Sequence, residues 1–153
     1  MTKKILLWIL VIFWMSLIFY FSSFNGIDST KQSQGFLYNT LGKIIDIVNP
    51  NIDVEKKDLI IQRLDTPIRK IAHASVYFIL AILVYLLLKE YNIKKIYLTS
   101  FIICFLYACS DEIHQLYVSD RSGELLDVMI DSVGSVMLLL FIYLKSKVIV
   151  RSK

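Results

Sequence analysis

The sequence lacks any extended alternation of apolar and polar residues, the pattern that strands of a membrane β-barrel show over about ten residues each. Its apolar residues instead form four continuous runs, at residues 5–21, 67–88, 96–118 and 125–144. Each run, as a helix, is long enough to cross about 30 Å of hydrocarbon. Hydrophobic residues make up 56% of the chain, against about 45–50% in soluble domains. We therefore predict one all-α integral membrane domain over residues 1–153, built as a bundle of four transmembrane helices.

The sequence is also poor in cysteine and has no cleavage site for a signal peptide. Its two cysteines, Cys104 and Cys109, fall on different faces of the third predicted helix, where they would behave as small apolar residues. They give no information on the redox compartment. The first run follows Lys3 and Lys4 but does not end in a small-x-small pattern, so we expect an uncleaved first helix.

Acidic residues are nearly missing from the segments that flank the helices on one side of the membrane. Glu90 is the one acid there, beside nine basic residues: Lys3, Lys4, Lys89, Lys94, Lys95, Lys145, Lys147, Arg151 and Lys153. Short flanks rich in Lys and Arg face the cytoplasm. We therefore predict cytoplasmic termini, with residues 22–66 and 119–124 outside. The net charge of +4 reflects this distribution and does not indicate a nucleic-acid partner.

The first outside segment, residues 22–66, contains two amphipathic stretches. In the first, apolar residues share one helical face until Asn49-Pro50-Asn51 interrupts the pattern: Phe36, Leu37, Leu41, Ile44, Ile45 and Val48. A second, shorter stretch follows Asp53. We predict short helices that lie on the outer leaflet or cover the bundle. Thr66 and Pro67 form a typical helix start, which places the beginning of the second transmembrane helix at residue 67.

Polar residues concentrate in the half of the bundle next to the outside segments. The helices and the last connection contribute Ser22, Ser23, Arg69, Lys70, His73, Tyr77, Asp111, Glu112, His114, Gln115, Arg121, Asp127 and Asp131. An ionised side chain in hydrocarbon costs several kcal/mol, at least about 2.5–3.5, unless it is paired or lines a wet cavity. We therefore expect Asp127 and Asp131 to face the bundle opposite cations such as Arg69, Lys70 or Arg121. The predicted result is one polar site that opens outward.

Several other roles are compatible with these residues. Asp127, Asp131, His73 and Glu112 would suit a divalent cation, but no tight ligand motif such as H-E-x-x-H is present, and we predict no metal and no cofactor. Ser22 or Ser23 could act as a nucleophile with His73 as base, although serine at a helix end is commonly a cap.

Purely structural roles are also open. The carboxylates could form salt bridges that fix helix register, and Gly134 most simply permits a close helix contact. A proton-coupled carrier would need ionisable residues through the whole membrane thickness. The other halves of these helices are nearly free of them, so we rank a carrier last.

Four motifs in this order resemble the VanZ-like family of bacterial membrane proteins. They are FSS at Phe21–Ser23, followed by Ser29 and Ser33; RKIAH at Arg69–His73 with Tyr77; DEIHQ at Asp111–Gln115; and Arg121 followed by D-x-x-x-D-x-x-G from Asp127 to Gly134. The resemblance covers nearly the whole chain. Two positions depart from the family pattern: Phe24 stands where Gln often follows FSS, and Asp131 stands where Asn is common.

The resemblance implies a multi-pass protein of the bacterial cytoplasmic membrane. The founding member of the family is associated with resistance to teicoplanin, a glycopeptide that binds cell-wall precursors. The motif residues that would form a ligand site are Ser22, Ser23, Arg69, Lys70, His73, Tyr77, Asp111, Glu112, Gln115, Arg121, Asp127 and Asp131.

Two functional hypotheses follow. In the first, the site binds the anionic head group of a membrane lipid or of a lipid-linked cell-wall precursor, with Arg69, Lys70 and Arg121 as contacts. The acids would hold these cations in place: Asp111, Glu112, Asp127 and Asp131. In the second, the protein is an enzyme that acts on such a lipid, with His73 and Asp111 or Glu112 as acid and base.

Overall fold

The computed structural model describes the backbone of residues 2–151 and the side chains of residues 2–148. This part of the chain is helical and contains no strand. Its elements are α1 (Thr2–Ser22), α2 (Gly26–Leu37), one π-helical turn (Tyr38–Gly42), α3 (Lys43–Val48), α4 (Val54–Lys89), α5 (Ile96–Gln115) and α6 (Leu125–Arg151). Helices α1, α4, α5 and α6 are long and apolar enough to cross a membrane. The predicted four-helix membrane fold is confirmed.

Helix α4 occupies the centre of the bundle and packs against α1, α5 and α6. The core between them contains residues from all four helices, among them Leu7, Val11, Leu80, Val84, Ala108 and Leu138. Large apolar side chains such as Phe13, Leu106 and Phe141 are more than half exposed on the outer surface, as expected of a surface that faces lipid. Lipid tails are as apolar as these side chains, so close packing rather than hydrophobic burial must hold the helices together.

A close approach between two helices lies where α6 crosses α4. A Cβ atom on Gly134 would stand 2.0 Å from the carbonyl oxygen of Ala74, so only glycine fits there. Small residues allow such close backbone contact in membrane bundles. The predicted role of Gly134 in a close helix contact is therefore confirmed.

One end of the bundle brings together the basic segments of the chain. Lys3 forms an ion pair with Glu90, and the Trp8 Nε1–H donates to the Tyr91 hydroxyl over 3.0 Å. At the same end, Tyr97 and Ser146 join α5 to α6 by a hydroxyl contact of 3.4 Å. The start of α1, the α4–α5 connection and the later part of α6 thus share one end. Lys153 and the Arg151 side chain, which belong to the predicted basic flank, lie outside the described residues.

Helix α4 begins at Val54, so the predicted helix start at Thr66 and Pro67 is wrong. Asp53 caps the helix, and its side chain accepts a hydrogen bond from the Glu55 N–H over 3.4 Å. Pro67 lies inside the helix and removes one backbone hydrogen bond. Packing on the N-terminal side of Pro67 holds the helix together: Ile61 is fully buried, and Asp65 accepts a hydrogen bond from Ser33 of α2. At 36 residues, α4 is about 54 Å long and exceeds the hydrocarbon thickness.

Helix α2 begins ten residues before the predicted amphipathic stretch. Asn25 caps it, since its Oδ1 accepts from the Asp28 N–H over 2.7 Å and its amide donates to the Asp28 carboxylate over 2.8 Å. A Cβ on Gly26 would stand 1.8 Å from the Asp120 carbonyl oxygen, so α2 starts directly against the α5–α6 connection. The predicted stretch after Asp53 is the beginning of α4.

The apolar face predicted over residues 36–48 divides between two environments. Leu37 is buried, whereas Phe36, Ile44 and Val48 remain exposed. The other boundaries differ by a few residues. Helix α5 ends at Gln115 instead of residue 118, because the N–H groups of residues 117 and 118 donate to the carbonyl oxygens three residues earlier. Helix α6 continues beyond residue 144.

Replacing Gly134 with alanine should destabilise the bundle by about 1–3 kcal/mol, because the added methyl group forces α4 and α6 apart. The measurement is the melting temperature of the purified protein in detergent micelles. Gly35→Ala is the matched control, since nothing lies within 4 Å of a Cβ there; alanine in that helix should be neutral or stabilising by up to about 1 kcal/mol. Equal melting temperatures for the two variants would contradict the tight contact.

Candidate functional site

At the end of the bundle opposite the basic segments lies a polar pocket of about 270 Å³. Helices α2, α4 and α6, the end of α5 and the α5–α6 connection all contribute to its wall. Seven of the twelve predicted ligand residues line it: Arg69, Lys70, His73, Gln115, Arg121, Asp127 and Asp131. The structure thus brings together more than half of the predicted set in one cavity.

Two guanidinium groups form the cationic wall of the pocket. Arg121 donates to the Ser29 hydroxyl over 3.0 Å, to the Phe24 carbonyl oxygen over 3.2 Å and to the Gln115 side-chain oxygen over 3.4 Å. Arg69 donates to the Thr30 hydroxyl over 3.3 Å. Among the described residues, no carboxylate oxygen lies within 4.0 Å of either group. Both arginines are therefore held by neutral partners.

Burial, and then repulsion from nearby Arg69, lower the pKa of Arg121 below its usual value. A guanidinium nevertheless stays charged in proteins. Two positive charges therefore face the same cavity without an ion pair among the described residues, and Glu112, Asp111 and Asp127 offset the charge of Arg121 only from beyond 4.0 Å.

Two long ion pairs lie across the pocket. The Lys70 ammonium is 3.6 Å from an Asp127 oxygen, and both side chains are about one third exposed. The His73 Nδ1 is 3.8 Å from an Asp131 oxygen. Lys70 thus occupies the predicted position opposite Asp127. Asp131 instead faces His73, a basic side chain of the same helix as Lys70, and none of the described residues places an Arg or Lys nitrogen within 4.0 Å of it.

Three buried carboxylates meet behind this wall. Asp111 and Glu112 of α5 approach Asp131 of α6, and one ligand atom from each lies within 4.8 Å of the other two. Ser22 donates to Asp111 Oδ2 over 2.9 Å, and Glu112 accepts from the Glu124 N–H over 3.0 Å and from Gln115 over 3.3 Å. Both oxygens of Asp131, which is fully buried, and Asp111 Oδ1 have no hydrogen-bond partner among the described residues. We call Asp111, Glu112 and Asp131 the carboxylate cluster.

A second cavity, an apolar groove of about 400 Å³, adjoins the polar pocket. Its walls come mainly from α1 and α4, with Trp14, Leu17, Ile18, Phe21 and Val76 among the lining side chains. Ser22 and Tyr77, two further predicted ligand residues, lie in this groove. His73 and Arg121 border both cavities, so the two spaces meet at these side chains.

Ser23 and His114 lie apart from the pocket. Ser23 Oγ contacts the His114 Nε2 over 3.1 Å and donates to the Phe19 carbonyl oxygen over 2.7 Å, and the His114 ring stacks on Phe19. Ser22 donates to Asp111. Neither serine forms a hydrogen bond with His73, so the geometry does not support a serine nucleophile activated by that base.

The contribution of α2 to the pocket was not predicted from the sequence pattern. Thr30 holds Arg69, and Gly26 forms part of the wall, yet residues 26–35 are too polar to show helical periodicity. The available signal was Asn25 followed three residues later by Asp28, a spacing typical of a helix start. That helix would place Ser29, Thr30 and Ser33 on neighbouring turns.

A comparison with protein-family models gives a match to the family described as VanZ/LLP1, over residues 7–146. Neither the curated proteins nor the solved structures compared with the chain give a match. The family match includes every motif residue that lines the two cavities or forms the carboxylate cluster. With more than nine tenths of its length covered, this multi-pass membrane protein belongs to the VanZ/LLP1 family.

Proposed function

We propose that the polar pocket binds the anionic head group of a membrane lipid or of a lipid-linked cell-wall precursor. In this proposal the protein is located in the bacterial cytoplasmic membrane, its termini are cytoplasmic, and the pocket opens to the outer leaflet. Binding there would give low-level tolerance of glycopeptides such as teicoplanin.

The observation that carries this proposal is the pair of arginines without carboxylate partners. Arg69 and Arg121 line one cavity and bond only to neutral side chains and a carbonyl group. A planar guanidinium binds a phosphate or carboxylate through two parallel N–H donors, and such charge-assisted bonds are about twice as strong as neutral ones. An anion placed between the two groups would supply the missing counter-charge.

The lipid character of the ligand is argued from the adjoining groove. Apolar side chains of α1 and α4 line a space of about 400 Å³ that meets the polar pocket at His73 and Arg121. Small-molecule sites commonly measure about 300–1,000 Å³. A molecule with a charged head and a hydrocarbon tail can therefore place each part in a matching environment.

The acidic residues of the pocket restrict the kind of head group. Asp120, Glu124 and Asp127 also line it, and their charge opposes a multiply charged anion. Carboxylates accept hydrogen bonds from hydroxyl and ammonium groups. The best match is a head group that carries one anionic centre together with such donors.

A second candidate function is acid–base catalysis on the same lipid. His73 borders both cavities and its Nδ1 lies 3.8 Å from Asp131, so it stands where head group and tail would join. Imidazole is the usual general acid or base near neutral pH. If the protein is an enzyme, the wild type should convert a bound lipid chemically and His73→Gln should not. A protein that only binds the lipid would leave it unchanged.

Topology is tested by thiol labelling in intact cells. In a background with Cys104→Ala and Cys109→Ala, we expect Ser122→Cys to react with an impermeant thiol reagent, because residue 122 is exposed at the pocket end. Lys94→Cys, exposed at the basic end, is the control and should react only after the membrane is broken. The reverse pattern would place the pocket in the cytoplasm.

Binding is tested by native mass spectrometry of the protein in nonionic detergent with a polyprenyl phosphate, phosphatidylglycerol or phosphatidylcholine. We expect preferential retention of an anionic lipid. Arg69→Gln and Arg121→Gln should each weaken retention about 10- to 100-fold, the loss of one charged hydrogen bond of about 1.5–3 kcal/mol. Arg63→Gln is the matched control, since Arg63 is on the same helix but exposed and outside both cavities.

Equal retention by all four proteins would refute the anion site. Analysis of the same samples for a shortened or dephosphorylated lipid shows whether the bound molecule is only held or also converted.

Tolerance is tested by expression in a susceptible Gram-positive host. We expect a higher inhibitory concentration of teicoplanin, and its loss in Asp111→Asn, Arg121→Gln and Asp127→Asn. Each substitution can also change the stability of the protein, so membrane abundance must be measured beside tolerance. Asp46→Asn, which removes only an exposed ion pair with Lys57, is the control. Full tolerance in all three variants at equal abundance would mean that the pocket has no part in resistance.

A further inference from the structure

The carboxylate cluster carries more negative charge than its surroundings balance. Asp111, Glu112 and Asp131 are 2%, 5% and 0% exposed, and their ligand atoms lie within 4.8 Å of one another. Among the described residues, the one nitrogen of a basic side chain within 4.0 Å of them is Nδ1 of His73, at 3.8 Å from Asp131. Three adjacent carboxylates in a buried site repel one another and need a positive partner.

The free oxygen atoms of the cluster point to a ligand. Both Asp131 oxygens and Asp111 Oδ1 lack hydrogen-bond partners among the described residues, whereas Ser22 holds the other oxygen of Asp111, and the Glu124 N–H and Gln115 hold the two oxygens of Glu112. At Asp111 this division is typical of metal sites, in which a hydrogen bond to one carboxylate oxygen orients the other toward the ion.

Tyr77 gives an independent indication. Its side chain is 1% exposed, its hydroxyl has no hydrogen-bond partner among the described residues, and Asp111, Asp131 and Glu112 are among its charged neighbours. A buried tyrosine hydroxyl usually finds a partner. A water molecule bound to an ion in the cluster would supply one.

From this geometry we propose that Asp111, Glu112 and Asp131 bind a divalent cation that prefers oxygen ligands, namely Ca²⁺, Mg²⁺ or Mn²⁺. Opposite oxygens are about 4.2 Å apart around Mg²⁺ and about 4.8 Å apart around Ca²⁺, given metal–oxygen distances of about 2.1 and 2.4 Å. One ligand atom from each residue lies within 4.8 Å of the other two, a separation compatible with oxygens that share one such ion.

The polar pocket borders the cluster at Asp131. Because both Asp131 oxygens are buried, an ion would enter from the pocket with a movement of neighbouring side chains. The sequence-based set contained Asp127 and His73 beside Glu112 and Asp131. In the structure Asp127 turns to Lys70, and Asp111 takes its place.

The test is a Mn²⁺ titration of the full chain in nonionic detergent, followed by electron paramagnetic resonance after removal of metals with EDTA. We expect one saturable site per chain, competition by Ca²⁺ or Mg²⁺, and a melting temperature that rises by several degrees at saturation. Asp131→Asn and Asp111→Asn should weaken binding at least about 10-fold, and Asp46→Asn should not change it. Ser22→Ala, which only releases Asp111, should weaken binding about 10-fold.

The outcomes decide between an ion and protons as the counter-charge. If wild-type protein shows no saturable Mn²⁺ binding up to about 1 mM, or if Asp131→Asn and Ser22→Ala both bind as tightly as wild type, the cluster is not a metal site. In EDTA, Asp131→Asn should melt at or above the wild-type temperature, because one repelling charge is gone. With Mn²⁺, the wild-type protein should have the higher melting temperature of the two. Arg69→Gln removes an anion contact but no cation ligand, so saturable Mn²⁺ binding should persist in it, and this proposal can fail or succeed independently of anion binding.

Discussion

Charged side chains inside a membrane bundle need partners. In this protein the two arginines of the pocket and the carboxylate cluster do not pair with each other. Arg69 and Arg121 bond to hydroxyl, carbonyl and amide oxygens, while Asp111 and Asp131 are buried and form no ion pair with either guanidinium among the described residues. Direct salt bridges between these groups would balance the charges of the isolated chain without any ligand. Their separation leaves a cationic wall and an anionic cluster, each of which can attract a ligand of opposite charge.

Close backbone contacts keep the two sets of charges apart. Gly134 lets α6 lie directly against Ala74 of α4, and Gly26 lets α2 start against the carbonyl of Asp120. The first contact sets the depth at which Asp131, three residues before Gly134, enters the bundle. The second fixes the start of α2, whose next turn carries the hydroxyl groups that hold both arginines. Displacement of either helix would allow the charges to approach one another.

The number of helices and the convergence of polar residues could be predicted from sequence because both depend on local patterns. Continuous apolar runs define spans, and spacing of three or four residues defines helix faces. Which carboxylate meets which cation depends instead on helix rotation within the bundle, and this is why Asp131 faces Asp111 rather than an arginine. Helix α2 was missed since its residues are polar, and Pro67 was misread because contacts made by Ile61 and Asp65 outweigh the one hydrogen bond that proline removes.

The junction of the two cavities limits how the proposed ligand can be held. His73 and Arg121 border both spaces, so a molecule with its head in the pocket and its tail in the groove must pass between them. Arg121 is anchored by Phe24 and Ser29, which belong to the link after α1 and to the first turns of α2. The same segment therefore shapes the groove and orients the guanidinium. Because one element does both, head-group affinity and tail accommodation are coupled, and a change that moves α2 must alter both together.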